Sequence, residues 1–137
     1  MPAPINPIGE QHNMKYLMMI KHSEAHRSQP IPEGLLKAMG EFVDESFKNG
    51  TLKDTAGLKP SSEGFRVRLS GGKLKVSDGP FTEAKELVGG YAIVEVPSRE
   101  KALEVAKKFM DLHRVHWPEF EGESELRPFE TGAPGSE

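Results

Sequence analysis

Five histidines and no cysteine set the chemistry open to this chain. Imidazoles and carboxylates can move protons or hold a metal, whereas thiolate nucleophiles, disulfides and cysteine-ligated zinc or iron–sulfur sites are excluded. In "DLHRVHWP", His113 and His116 stand three residues apart and share a face if the segment is helical. They could ligate a metal if a carboxylate such as Asp111 or Glu119 joined them. The plainer expectation is a partly buried His113, a surface His116 and a packed Trp117 at a chain reversal, with no metal and no cofactor. His22 closes an apolar run and His26 follows it in a polar loop.

The stretch "VSDGPFTEAKELVGGY" also carries chemistry. Asp78-Gly79-Pro80 is good turn chemistry: the Asp carboxylate accepts from nearby backbone N–H groups, Gly permits positive φ, and Pro fixes φ. Thr82 is suited to cap a single helical turn, with Glu83 and Glu86 near its positive end. A corner therefore explains the segment without any reaction. The functional alternative places Asp78 or Glu83 in a cavity between subunits, where burial raises its pKa, and makes Asp78 and His22 a proton-transfer pair.

The elements that position these residues follow from periodicity. "KYLMMI" is a short apolar run, read as a strand buried on both faces. Leu35, Leu36, Met39, Phe42, Val43 and Phe47 recur at spacings of three and four and line one stripe of a helix that ends near Asn49-Gly50. Leu52 to Leu58 reads as an irregular edge strand stopped by Pro60. In "FRVRLSGGKLKVSD" the Gly71-Gly72 pair predicts a tight hairpin with Leu69 opposite Leu74 and Val67 opposite Val76. Arg66, Arg68, Lys73 and Lys75 then form its solvated face. "GGYAIVEV" predicts a central strand. Ser98 caps a second helix with Ala102, Leu103, Ala106, Phe109 and Met110 on its buried stripe. Trp117-Pro118 ends that helix, and "ELRPFE" reads as an edge strand because Pro128 cannot donate to a ladder.

At 137 residues the chain is expected to be one domain over residues 14–130, with a disordered arm at 1–13 and a disordered tail at 131–137. A formal net charge of -3 is the wrong sign for a phosphate-neutralising surface, so nucleic acid is not expected as a direct partner. No apolar run approaches the roughly 18 residues of a membrane span and no signal-peptide pattern is present, so a cytoplasmic location is expected. Nucleophile-elbow, phosphate-loop, dinucleotide and H-E-x-x-H motifs are missing.

The order strand, helix, edge strand, hairpin, strand, helix, strand reduces, without the hairpin, to βαββαβ. That is an α+β, ferredoxin-like split βαβ arrangement with both helices on one face of an antiparallel sheet. Two helices cover one face, yet "KYLMMI" and "YAIVEV" are apolar on both. Left alone, the second face would exceed the few hundred Å² of apolar patch usual for soluble chains, so a homodimer with facing sheets is expected.

"DGPF", "EAKE" and "GGY" between Val76 and Val96 fall in order with "KYLMMI", "MGEFVDE", "GLKPSSEGFRVR", "HRVHWPEFEGE" and "ELRPFE". Together these blocks resemble the DGPF group of the YCII-related proteins over about residues 14–130. The resemblance implies a dimeric α/β barrel and a family whose biochemical role is largely unassigned. It also implies a His–Asp pair, with the His near the start of the first helix, but residues 32–36 hold no histidine, so His22 or His26 would have to substitute. Three functions are expected in this order: a dimeric module binding a small apolar or aromatic ligand, with Met18, Phe42 and Tyr91 in its wall; a small-molecule lyase, isomerase or cofactor-free oxygenase using His22 and Asp78; and an accessory protein in transcription. The last follows from family members joined to sigma-factor domains, although this chain has no DNA-binding segment.

Overall fold

Two helices differ in how closely they approach one antiparallel sheet, and that difference shapes the protein. The structure, a computed structural model, describes residues 13–27 and 29–130. The arm expected over residues 1–13, save Asn13, and the tail expected over 131–137 lie outside the described residues. The elements are β1 (Met14–His22), α1 (Glu24–Arg27), α2 (Glu33–Lys48), β2 (Leu52–Gly57), β3 (Phe65–Ser70), β4 (Lys73–Asp78), β5 (Leu87–Val96), α3 (Arg99–His116) and β6 (Gly122–Pro128). A 3-10 turn at Ser61–Glu63 precedes β3.

The main sheet runs β2-β5-β1-β6 with every neighbour antiparallel, and β3 and β4 form a separate ribbon. This is an α+β architecture compatible with a ferredoxin-like arrangement. The register sets Tyr16 against Val94, Met18 against Ala92 and Met18 against Leu126. Because side chains alternate across a strand, Tyr16, Met18, Ala92, Val94 and Val96 all point toward the helices, and all are buried. The opposite face carries Leu17, Met19, Tyr91 and Ile93 among charged neighbours, with Lys21 donating to Glu125 at 2.6 Å. No element among the described residues covers it.

Helix α3 begins where expected: the Ser98 hydroxyl accepts from the Lys101 N–H at 3.2 Å, filling one of the bonds a helix start leaves open. Its inner stripe holds Ala102 and Ala106, both buried in the sheet core. Helix α2 ends with Gly50 at φ 85°, a left-handed conformation that glycine adopts without steric penalty. The hairpin matches its expected register, Leu69 against Leu74 and Val67 against Val76, with Gly71 at φ 58° and Gly72 at φ 76° as a tight turn requires.

Some boundaries differ from those expected. The polar loop after β1 holds the short helix α1, β5 starts at Leu87 rather than Gly89, and β6 starts at Gly122 rather than Glu125. Residues 82–86 make no helical turn; Thr82 and Glu83 lie in a tight turn closed by Ala84 N–H on Phe81 O at 3.1 Å. The hairpin stands apart from the main sheet, and Phe65, Val67, Leu69, Leu74 and Val76 along one of its faces are 56–72% exposed. Two-stranded ribbons are marginal alone.

Replacing Ser98 with Ala should lower stability by about 1 kcal/mol, because one N-terminal N–H of α3 loses its acceptor. Urea unfolding checks this, with the unfolding slope unchanged. An unaltered midpoint would mean that the cap contributes nothing.

Candidate functional site

Small side chains bring α3 onto the sheet, while large ones on α2 rest against α3. Phe42 and Phe109 pack with ring centroids 5.8 Å apart, α2 also meets the edge strand β2, and Val43 reaches the core cluster of the sheet. Space is left between α2 and the sheet. The result is a crevice of about 460 Å³ walled by Met18, Leu35, Met39, Phe42, Val43, Ala92, Val94 and Phe109. Ile31, Leu36, Gly40, Ala56 and Gly57 line it and are also exposed, so its mouth opens between α2 and β2. No Asp, Glu, Lys or Arg lines it.

Thr51 and Thr55 are among the polar residues of the lining, and three others, His22, Ser46 and His113, are the buried polar residues among the described residues. The Nδ1 of His22 lies 2.9 Å from Ser23 O, and the Nδ1 of His113 lies 3.1 Å from Phe109 O. A carbonyl oxygen can only accept, so both Nδ1 atoms carry the proton and both Nε2 atoms are acceptors in the neutral ring. Burial holds the His113 imidazole below its ordinary value of 6.5, partly offset by the Phe109 hydrogen bond. Gly89 makes room for His22, since a Cβ there would overlap the imidazole Nε2.

One end of the crevice is an aromatic cluster built around Phe120. Its ring centroid is 4.7 Å from His113, 5.3 Å from His26 and from Trp117, and 6.4 Å from His22. His26 is fixed there by the Glu121 N–H, which donates to its Nε2 at 3.1 Å. The helices run antiparallel, with Gly34 beside His116 and Phe42 beside Phe109. Ser46 and His113 therefore lie in opposite directions from the Phe42–Phe109 contact, four residues along each helix. At the helical rise of 1.5 Å per residue they are about 12 Å apart along the crevice.

Of the residues proposed from sequence, Met18, Phe42 and His22 line the crevice; Tyr91 borders it from β5, but its side chain alternates to the outer sheet face opposite Met19. The Tyr91 hydroxyl, however, donates to Asp54 at 3.0 Å, and this bond raises its pKa. Asp78 is exposed at the end of β4, outside the crevice lining, and no hydrogen bond joins it to His22 among the described residues. His113 turns inward, His116 packs against Gly34, and Asp111 binds Arg114 at 2.6 Å. No group of three potential metal ligands assembles among the described residues.

The "DGPF" corner has its own structural logic. Gly79 donates to Gly64 O at 2.9 Å, and a Cβ on Gly79 would overlap Ser61 O. The Phe81 N–H donates to the Ser61 hydroxyl at 3.1 Å, and the Arg66 guanidinium sits 3.7 Å above the Phe81 ring while pairing with Glu83. That pairing holds the Glu83 carboxyl below its usual range. The segment locks the hairpin base to the 3-10 turn.

Sequence reasoning missed Ser46 and Phe120. Ser46 left a signal, a polar residue three positions beyond Val43 on an otherwise apolar stripe. Phe120 left none, because its neighbours come from β1, α1 and α3.

The site thus defines an α+β protein with an apolar crevice between a helix and an antiparallel sheet. The family model of the YCII-related domain matches residues 14–109. An uncharacterized protein of Rhizobium meliloti (strain 1021) is 34% identical over 108 residues, which covers 79% of this chain and 83% of that protein. The chain belongs to the YCII-related family. The matched stretch stops short of His113, Trp117 and Phe120.

Two outcomes are expected. Gly79→Ala should destabilise by about 1–3 kcal/mol, the usual cost of forcing an atom into occupied space; a urea midpoint equal to wild type would contradict the tight corner. Below pH 6.5 the unfolded chain takes up a proton that buried His113 resists, so the unfolded state binds more protons and stability falls as pH falls. His113→Phe should flatten that part of the stability–pH curve, and an unchanged slope would count against a buried neutral ring.

Proposed function

We propose that this YCII-related chain is a homodimeric binding protein that holds a small apolar or aromatic molecule in the crevice between α2 and the sheet. The observation that carries this is the crevice itself: about 460 Å³, apolar on nearly all sides, and reached between α2 and β2. Ligand sites commonly span about 300–1,000 Å³ with a few polar groups fixing orientation. Here α2 keeps Met39, Phe42 and Val43 only half-buried while they face the sheet, which leaves apolar surface for an occupant to cover.

The homodimer is supported by two surfaces that a single chain leaves uncovered. One is the outer sheet face with Leu17, Met19 and Ile93. The other is the apolar face of the hairpin. A second copy offers complementary surface to both under a two-fold axis, the commonest oligomeric symmetry.

Naphthalene and related two-ring aromatics should raise the melting temperature of the full protein. Free ligand at a hundredfold over Kd would add about 2.7 kcal/mol. Val43→Trp, which fills the crevice, should remove the ligand-induced shift while keeping the fold. Equal stabilisation of the variant would place binding elsewhere. In sedimentation, a species of twice 15.1 kDa is expected. The Leu69→Lys/Leu74→Lys variant should sediment as a monomer, and a wild type that is monomeric at micromolar concentration would remove the dimer from the proposal.

A further inference from the structure

An apolar occupant leaves the two imidazoles of the crevice unused. His113 is 94% and His22 91% buried, from exposures of 6% and 9%. Each commits Nδ1–H to a backbone carbonyl, and neither Nε2 has a partner among the described residues. Ser46, 7% exposed, lines the same crevice. An acceptor set in an apolar wall is matched best by a ligand that donates to it.

The chemistry of these groups is specific. An imidazole Nε2 whose Nδ1 is protonated accepts and does not donate. It therefore asks its ligand for a hydrogen-bond donor. The lining holds no Asp, Glu, Lys or Arg, so an ionised ligand would be buried without compensation. Burial also holds the His113 ring neutral rather than cationic, which denies a carboxylate its counter-charge. The remaining class is a neutral molecule that donates from one end of an apolar frame.

We infer that the crevice selects hydroxylated apolar or aromatic molecules, of phenol or alcohol type, whose O–H donates to Nε2 of His113 while their apolar body lies between α2 and the sheet. His22 stands in the same aromatic cluster around Phe120 and borders the hydroxyl-bearing end. Ser46 lies about 12 Å away at the helical rise and marks the far end of the frame. The inference rests on the ligand reading above and narrows it to one chemical class.

Three probes separate the outcomes: naphthalene, 2-naphthol and 2-naphthoate, titrated calorimetrically into the full protein. 2-Naphthol should bind about fivefold to tenfold tighter than naphthalene, the effect of one net hydrogen bond, and 2-naphthoate should bind more weakly than either. In His113→Phe the advantage of 2-naphthol should vanish while naphthalene still binds. Should that variant fail to fold, nitrogen NMR of the wild-type histidines gives the same answer. The His113 Nε2 resonance should be that of an unprotonated nitrogen and should move toward the hydrogen-bonded range with 2-naphthol but not with naphthalene. Equal binding of naphthalene and 2-naphthol, or an unmoved Nε2 resonance, would overturn the hydroxyl inference and leave the apolar crevice standing. Absence of binding by all three would overturn both.

Discussion

Alanines at two positions of one helix set the shape of this protein. Ala102 and Ala106 let α3 settle into the sheet core beside Tyr16, Met18 and Val94. Helix α2 has no such small pair on its inner stripe, which carries Leu35, Met39, Phe42 and Val43. It leans on α3 through Phe42 and Phe109. Native cores are packed to crystal-like density, so a crevice of about 460 Å³ beneath a helix is a departure from ordinary packing. Such volume lowers stability unless it is filled, since lining atoms lose dispersion contacts on one side. A ligand that restores those contacts is the simplest reason for a fold to keep the space.

Polar groups are arranged in the same economical way. His22 is the last residue of β1 and His113 lies in the last turn of α3, and each is anchored by a backbone carbonyl close in sequence. Their rings are therefore oriented by local geometry rather than by partners across the crevice. Phe120, on the connection after α3, fills the space between them. The hairpin is held at its base by the Gly79, Phe81 and Arg66 contacts to Ser61, Gly64 and Glu83. "DGPF" is in this view a corner that fixes where the ribbon points, and the ribbon's apolar face is exposed.

Much of this was legible in the sequence because its determinants are local. The Gly71-Gly72 turn set the hairpin register, Ser98 announced α3, and Pro128 placed β6 at an edge. The burial of Met18 and Phe42 was legible as well, since Met18 lies in a continuous apolar run and Phe42 on a helical stripe. What escaped depends on contacts between distant segments. The 82–86 segment has helix-start chemistry, yet Arg66 captures Glu83 and the chain turns instead. The His–Asp pair that the family resemblance implies led to His22 and Asp78, but their strands belong to separate sheets and no hydrogen bond joins them among the described residues. The standing-off of α2 has no signature at all, because an apolar stripe reads alike whether it meets a sheet or a void.

Methionine methyl groups report the central claim directly. Met18 and Met39 line the crevice, whereas Met19 lies on the outer sheet face, Met14 is exposed at the start of β1 and Met110 lies outside the crevice lining. With methyl-labelled methionine, ring currents from added naphthalene should shift the Met18 and Met39 signals and leave Met14, Met19 and Met110 in place. Shifts at Met19 with Met18 and Met39 unmoved would put the aromatic molecule on the open sheet face and contradict a ligand site beneath α2.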